Sequence, residues 1–243
     1  MLVPTILTAV LVTCTSFLGL LFFVFREKKI GRAMSLLTPL AAGLLLASAF
    51  LQVLPGAIPK APFLTIVMAS VLLGAIASLA LSKTVWHHHH DDVCETHTFG
   101  YTNLLGEGIQ NLVIGMAVAS CFWISAAVGL TAALAVLVHS VPHQLGNFGF
   151  LLRGGLDKRR AMGCSLAASS TAVLGAVITY FWLLALDLGA YISSFMAGWF
   201  IFMAIEDVSQ KSDPATGKKF STEHFALLML GIIIVEWISM LLG

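Results

Sequence analysis

Apolar runs of about twenty residues, with at most one charged residue each, recur along this sequence with only short polar gaps between them, and that pattern leaves the backbone one place to fold. A run of that length crosses a hydrocarbon core of roughly 30 Å as a helix, which closes its backbone hydrogen bonds within the segment. The runs are 4–25, 36–54, 62–85, 104–122, 126–152, 162–186, 191–205 with 188–190 before it, and 225–242. Eight spans and their loops use up the 243 residues. The chain therefore reads as an all-α integral membrane protein, a single transmembrane domain over residues 1–243. With 58% hydrophobic and 10% charged residues, it cannot cover itself with water-compatible groups, so a soluble enzyme is excluded. The 13 Lys+Arg nearly cancel the 12 Asp+Glu, so no nucleic-acid partner and no acidic solvating tail are indicated. Cys14, Cys94, Cys121 and Cys164 are scattered, three of them in apolar runs, and a disulfide framework is not expected.

Turn residues fall where the spans need them: Pro55, Gly56 and Pro59, then Gly154 and Gly155, then Asp213, Pro214 and Gly217. Between Leu104 and Leu152 no charged turn occurs, and the split near Trp123 to Ser125 rests on length, since one helix would exceed the membrane about twofold. Twelve of the 13 basic residues lie in odd-numbered loops, Lys60 being the other. Basic loops stay in the cytoplasm, so both termini are expected to be extracytoplasmic, in a plasma or inner membrane. The first run lacks a basic residue before it and is expected to stay as a helix rather than to be cleaved. Small residues recur every fourth position in Gly163, Ala167, Thr171 and Gly175 and in Gly189, Ser193 and Ala197, a spacing that lets helix backbones approach in lipid.

Polar side chains inside a span cost roughly a few kcal/mol unless they face protein or water, so their positions are informative. Glu107, Gln110 and Asn111 stand at i, i+3 and i+4 on one face of the fourth span. His139, His143 and Asn147 stand at i, i+4 and i+8 in the fifth, with Ser140 and Gln144 beside them. Two imidazoles one turn apart can share a divalent metal. Pro142 between them removes a backbone donor, freeing a carbonyl in the preceding turn as a hard oxygen ligand. Interhelical hydrogen bonds that hold the bundle together are the alternative; facing amides at Gln110 and Asn111 favour a metal path. His87, His88, His89, His90, Asp91, Asp92, Cys94 and His97 crowd a His-rich cytoplasmic loop over residues 86–98, either a metal-capture tract or a solvated loop with adventitious affinity. Glu206 and Asp207 close the seventh span, where exit coordination and plain solvation fit equally well.

These stretches resemble the ZIP family of divalent-metal transporters. That family's fourth helix carries a pattern like Asp-Gly-x-His-Asn-Phe-x-Asp-Gly and its fifth His-Glu-x-Pro-His-Glu-x-Gly-Asp. Here they read Glu107-Gly108-Ile109-Gln110-Asn111-Leu112-Val113-Ile114-Gly115 and His139-Ser140-Val141-Pro142-His143-Gln144-Leu145-Gly146-Asn147. The second span, Ala41-Ala42-Gly43 through Gln52 to Gly56, and the seventh, from Phe195 to Glu206-Asp207, are similar to their counterparts too. The resemblance implies eight helices in a 3+2+3 bundle whose outer triplets are related by inverted symmetry, with transport toward the cytoplasm between helices four and five. Carried over by position, the principal metal site involves Gln110, Ile114, His139, Ser140 and His143, and Asn111 with Ser140 belongs to a neighbouring second site. Gln110 stands for the family's His, Ile114 for an acid and Ser140 for Glu, so the second site is expected to be absent and affinity reduced. What remains is His139, His143, Gln110 and Asn111, with Glu107 as the nearest acid. Nitrogen-rich ligation favours zinc, then iron, nickel or copper, as the transported substrate, with no prosthetic group. The partners implied are the metal ion and the lipid bilayer, with room for a homodimer. A transport-incompetent sensor or scaffold is the second reading. An intramembrane metal-dependent hydrolase ranks below both, because Ser140 follows His139 where a carboxylate base is needed.

Overall fold

A computed structural model describes residues 1–20, 27–87, 96–183, 186–209 and 221–242, and among them eight helices are long and apolar enough to cross a membrane. Helix α1 is Leu2–Cys14, tightening through Thr15–Leu20. Helix α2 is Glu27–Ala47; it widens at Ser48–Val53 and runs on through Leu54–Ala57 to Ile58–Lys60. The others are α3 (Leu64–His87), α4 (Thr96–Ile124), α5 (Ala126–Arg153), α6 (Lys158–Ile178, widening at Thr179–Leu183), α7 (Gly189–Ser209) and α8 (Thr222–Leu242). The expected all-α bundle of eight spans is what the chain forms.

Local chemistry explains the helix boundaries. Ser125 leaves the helical region (φ −164°, ψ 167°) and its side chain accepts from the Val128 N–H at 3.2 Å. It thereby caps α5 and separates it from α4, where sequence length alone had argued for a break. Lys60 closes the other side of that junction: its Nζ donates to the Ile124 carbonyl at 3.0 Å and lies 4.7 Å above the Trp123 ring. The one basic residue outside the odd-numbered loops thus satisfies the C-terminus of α4. Asp157 caps α6 by accepting from the N–H groups of Arg159 and Arg160, both at 3.0 Å. The Arg160 bond is the main reason its carboxyl titrates below the ordinary range.

Three interfaces hold the bundle, α4 on α6, α3 on α7 and α2 on α8, and each rests on glycines that let backbones touch. An added Cβ at Gly115 would lie 1.9 Å from the Ala172 carbonyl oxygen, and one at Gly175 2.0 Å from that of Leu112. Gly74 and Gly198 pair α3 with α7 in the same way, and Gly43 and Gly231 pair α2 with α8. The small-residue row on α6 is only partly an interface. Gly175 is packed, Thr171 donates to the Gly108 carbonyl at 2.6 Å, and a Cβ at Gly163 would meet nothing within 4 Å among the described residues.

Helices α2, α4, α5 and α7 are the inner ones, with 56% to 61% of each span buried, whereas α3 is 17% and α8 11% buried. The inner helices bring together Leu44, Leu45, Met196 and Phe200 as the centre of the core. Between lipid and protein the gain is dispersion, about 0.1–0.2 kcal/mol for each close atom pair, so tight approach matters more than apolar area. On α5 the face bearing Leu137, Val138 and Val141 looks into an apolar groove shared with α1. Its polar face is thereby turned inward.

Gly175→Ala is expected to lower the thermal unfolding midpoint of the protein in detergent, consistent with roughly 1–3 kcal/mol of overpacking. Gly163→Ala should leave it unchanged, and a reversed order would contradict the interface assignment.

Candidate functional site

Two helical periodicities assemble the polar centre. Glu107, Asn111 and Ile114 are buried on α4, with Gln110 partly buried; His139, Ser140, Gln144 and Asn147 are buried on α5, with His143 partly so. The His139 and His143 rings lie 5.6 Å apart between centroids, with their planes inclined by 33°. The pair expected from the one-turn spacing is therefore present and protein-facing.

The hydrogen bonds divide these residues into two groups. His139 Nδ1 lies 3.0 Å from Asp207 Oδ2 on α7. Its Nε2 is buried and has no hydrogen-bond partner among the described residues. His143 Nδ1 lies 3.2 Å from Asn147 Nδ2. An amide nitrogen only donates, so in this pairing His143 Nδ1 accepts and the ring proton sits on Nε2; a cation bound by His143 would take the Nδ1 lone pair in place of Asn147. Ser140 turns its hydroxyl back to the Val136 carbonyl at 2.8 Å, and Asn111 donates to the Glu107 carbonyl at 2.9 Å.

A second polar cluster sits toward the C-terminal end of α5. Gln144 donates to Ser169 Oγ at 2.8 Å and accepts from Ser165 at 3.1 Å, which fixes its amide against α6. The buried Glu107 carboxylate faces Asn147, Gln144 and Ser165, with neither oxygen at hydrogen-bonding geometry among the described residues. Among the described residues, Asn147 stands between the two groups, facing Glu107 and contacting His143 Nδ1. Among the described residues no three His, Cys, Asp or Glu side chains converge as a metal cage. A cation at the histidine pair would complete its shell with amide, carbonyl or water oxygen.

The end of α7 differs from one of its two sequence readings. Asp207 is not simply solvated: its side chain, 15% exposed, is the partner of His139. Glu206 accepts a hydrogen bond from Ser82 of α3. Helix α7 carries both acids inward from a position that no local pattern marks. In the His-rich segment, helix α3 extends to His87 and α4 begins at Thr96, so His97 is helical rather than looped. His88, His89, His90, Asp91, Asp92 and Cys94 lie outside the described residues.

A family model described as ZIP zinc transporter matches residues 81–239. Among curated relatives, the zinc transporter ZIP13 of Pongo abelii is 30% identical over 177 residues, which cover 70% of this chain and 52% of the relative. The zinc transporter ZIP13 of Danio rerio is 33% identical over 145 residues, 58% of this chain and 42% of its own length. The IAA-alanine resistance protein 1 of Arabidopsis thaliana is 31% identical over 147 residues, 59% of this chain and 31% of its own. The chain thus spans about half, or less, of the length of these curated relatives.

Asn147→Asp replaces a donor by an acceptor, and the His143 proton should move from Nε2 to Nδ1. Long-range ¹⁵N–¹H spectra of the histidine-labelled, metal-free protein read this directly; an unchanged Nε2–H resonance would show that Asn147 does not set the tautomer.

Proposed function

The chain belongs to the ZIP family of zinc transporters, and from that premise we propose that it carries a divalent transition metal, zinc before iron, nickel or copper, toward the cytoplasm between α4 and α5. The metal is its substrate, and no prosthetic group or catalytic step enters this reading. The observation that carries it is the buried His139 Nε2, which has no partner among the described residues, beside a second imidazole one turn away. A neutral imidazole nitrogen left bare in a protein interior is a ligand position for a borderline metal. Gln110 and Asn111 on the facing helix complete the proposed set, and Glu107 supplies charge from beyond Asn147. With basic residues in the odd-numbered loops, both termini are extracytoplasmic and the His-rich segment lies where the ion leaves. Its histidines and acids would then receive the metal.

Alternation of access fits the inverted repeat that the ZIP resemblance implies, with α4 and α5 and the helices packed on them moving against the set formed by α2, α3, α7 and α8. The Gly43, Gly74, Gly198 and Gly231 contacts hold that second set together through direct backbone packing.

One observation favours a second reading, a metal-binding sensor or scaffold without flux. Ile114 is apolar and the Ser140 hydroxyl is bonded to its own helix, so two positions that hold acids in ZIP-like sequences contribute no charge here. A dication held by neutral groups in a low-dielectric bundle keeps its full charge, and affinity falls.

Zinc uptake into liposomes containing the purified chain distinguishes the two. Uptake is expected in the unsubstituted protein and should be abolished by His143→Ala with expression intact; unchanged flux in that variant removes the site assignment, and binding without flux supports the sensor. Ile114→Asp combined with Ser140→Glu should tighten zinc binding by tenfold or more, as isothermal titration would report. No tightening would refute the charge argument.

A further inference from the structure

We propose that Asp207 is a positioning residue for the cation site, holding His139 in the tautomer that exposes Nε2 and contributing the negative charge that the ligand positions of α4 and α5 lack. This rests on the site reading above. A neutral imidazole has one N–H, and a carboxylate only accepts. The 3.0 Å contact between His139 Nδ1 and Asp207 Oδ2 therefore puts the ring proton on Nδ1. The lone pair is left on Nε2, the atom that is buried without a partner among the described residues. A ligating histidine is ordinarily oriented through its second nitrogen in this way, and the carboxylate also raises the basicity of the ring.

Charge points the same way. Gln110 and Asn111 are amides, Ile114 is apolar, and Ser140 is bonded to the Val136 carbonyl. Glu107 faces Gln144, Asn147 and Ser165 instead of either imidazole. Asp207 is thus the carboxylate in direct contact with a proposed ligand ring. It comes from α7, and its neighbour Glu206 is fastened to α3 by the Ser82 hydroxyl, which holds this end of α7 in place. His143, whose Nδ1 is turned to Asn147, lacks such an arrangement. The two histidines are therefore inequivalent, and His139 is the one set for a cation.

The test uses the full chain in nanodiscs with zinc as the probe. In metal-free, ¹⁵N-histidine-labelled protein the His139 signal, assigned by its loss in His139→Asn, should show protonated Nδ1 and bare Nε2. Zinc affinity should fall tenfold or more in Asp207→Asn, which is nearly isosteric but uncharged, and return to within about threefold in Asp207→Glu. A purely structural tie between α5 and α7 would not impose that dependence on charge. Zinc binding lost in His143→Ala but unchanged in Asp207→Asn overturns this inference and leaves the site reading standing. A His139 protonated on Nε2 overturns it as well. Absence of zinc binding in the unsubstituted chain, or binding untouched by His143→Ala, overturns the site reading itself and the inference with it.

Discussion

Inside a bilayer no water is at hand to satisfy a polar side chain, so each one must find its partner on another helix or on its own backbone. The inward face of α5 carries His139, Ser140, His143, Gln144 and Asn147, a density that no isolated helix could hold in hydrocarbon. The arrangement of the bundle answers that demand. Asp207 comes from α7 and Ser165 and Ser169 from α6, while Ser140 turns back to its own helix. Helix α5 is the hub because it is the span least able to stand alone.

Meeting those demands needs helices close enough for short side chains to reach across, and here the glycines act. Gly115 and Gly175 bring α4 and α6 into backbone contact, which lets Thr171 reach the Gly108 carbonyl. The same device on α3 with α7 brings Ser82 to Glu206. Packing and polar satisfaction are in this sense one problem: removing the close approach separates the donors from their acceptors as well.

Much of this was legible in the chain itself. Hydropathy and length gave the eight spans, and Ser125 supplied the break between the fourth and fifth that length alone had suggested. Periodicity put the two histidines on one face, because helical spacing is a local property. The resemblance to ZIP sequences found the same frame. What the sequence concealed was the identity of partners. Asp207 sits two residues before the end of α7, where an acid is also at home in water, and only tertiary packing gives it to His139. Gln144 looked like an accessory to the histidines and instead bridges Ser165 and Ser169. Glu107 shares a face with Asn111 yet is directed toward Asn147, since side-chain direction along a helix is offset from the position of the Cα. The row from Gly163 to Gly175 has the spacing that lets backbones approach, whereas among the described residues only part of it is packed in that way.

Two acids of the polar centre, Glu107 and Asp207, share one further property. Glu107 lies near the start of the fourth span and Asp207 near the end of α7. On the proposed orientation, with the basic loops in the cytoplasm, both positions would lie toward the cytoplasmic ends of their spans. Neither acid is needed as a direct ligand to act on the ion, because Coulomb attraction persists over several ångströms where the dielectric constant is low. The neutral ligands would hold a dication less firmly than the carboxylates of ZIP-like sequences, and the negative charge would stand behind them in the direction of travel. On the proposed orientation, then, losing acids at Ile114 and Ser140 while keeping Glu107 and Asp207 shifts the favourable potential from the ligand positions toward the exit. On that proposal, what looks in the sequence like a weakened binding site would be, in the folded chain, a site whose charge is displaced along the path.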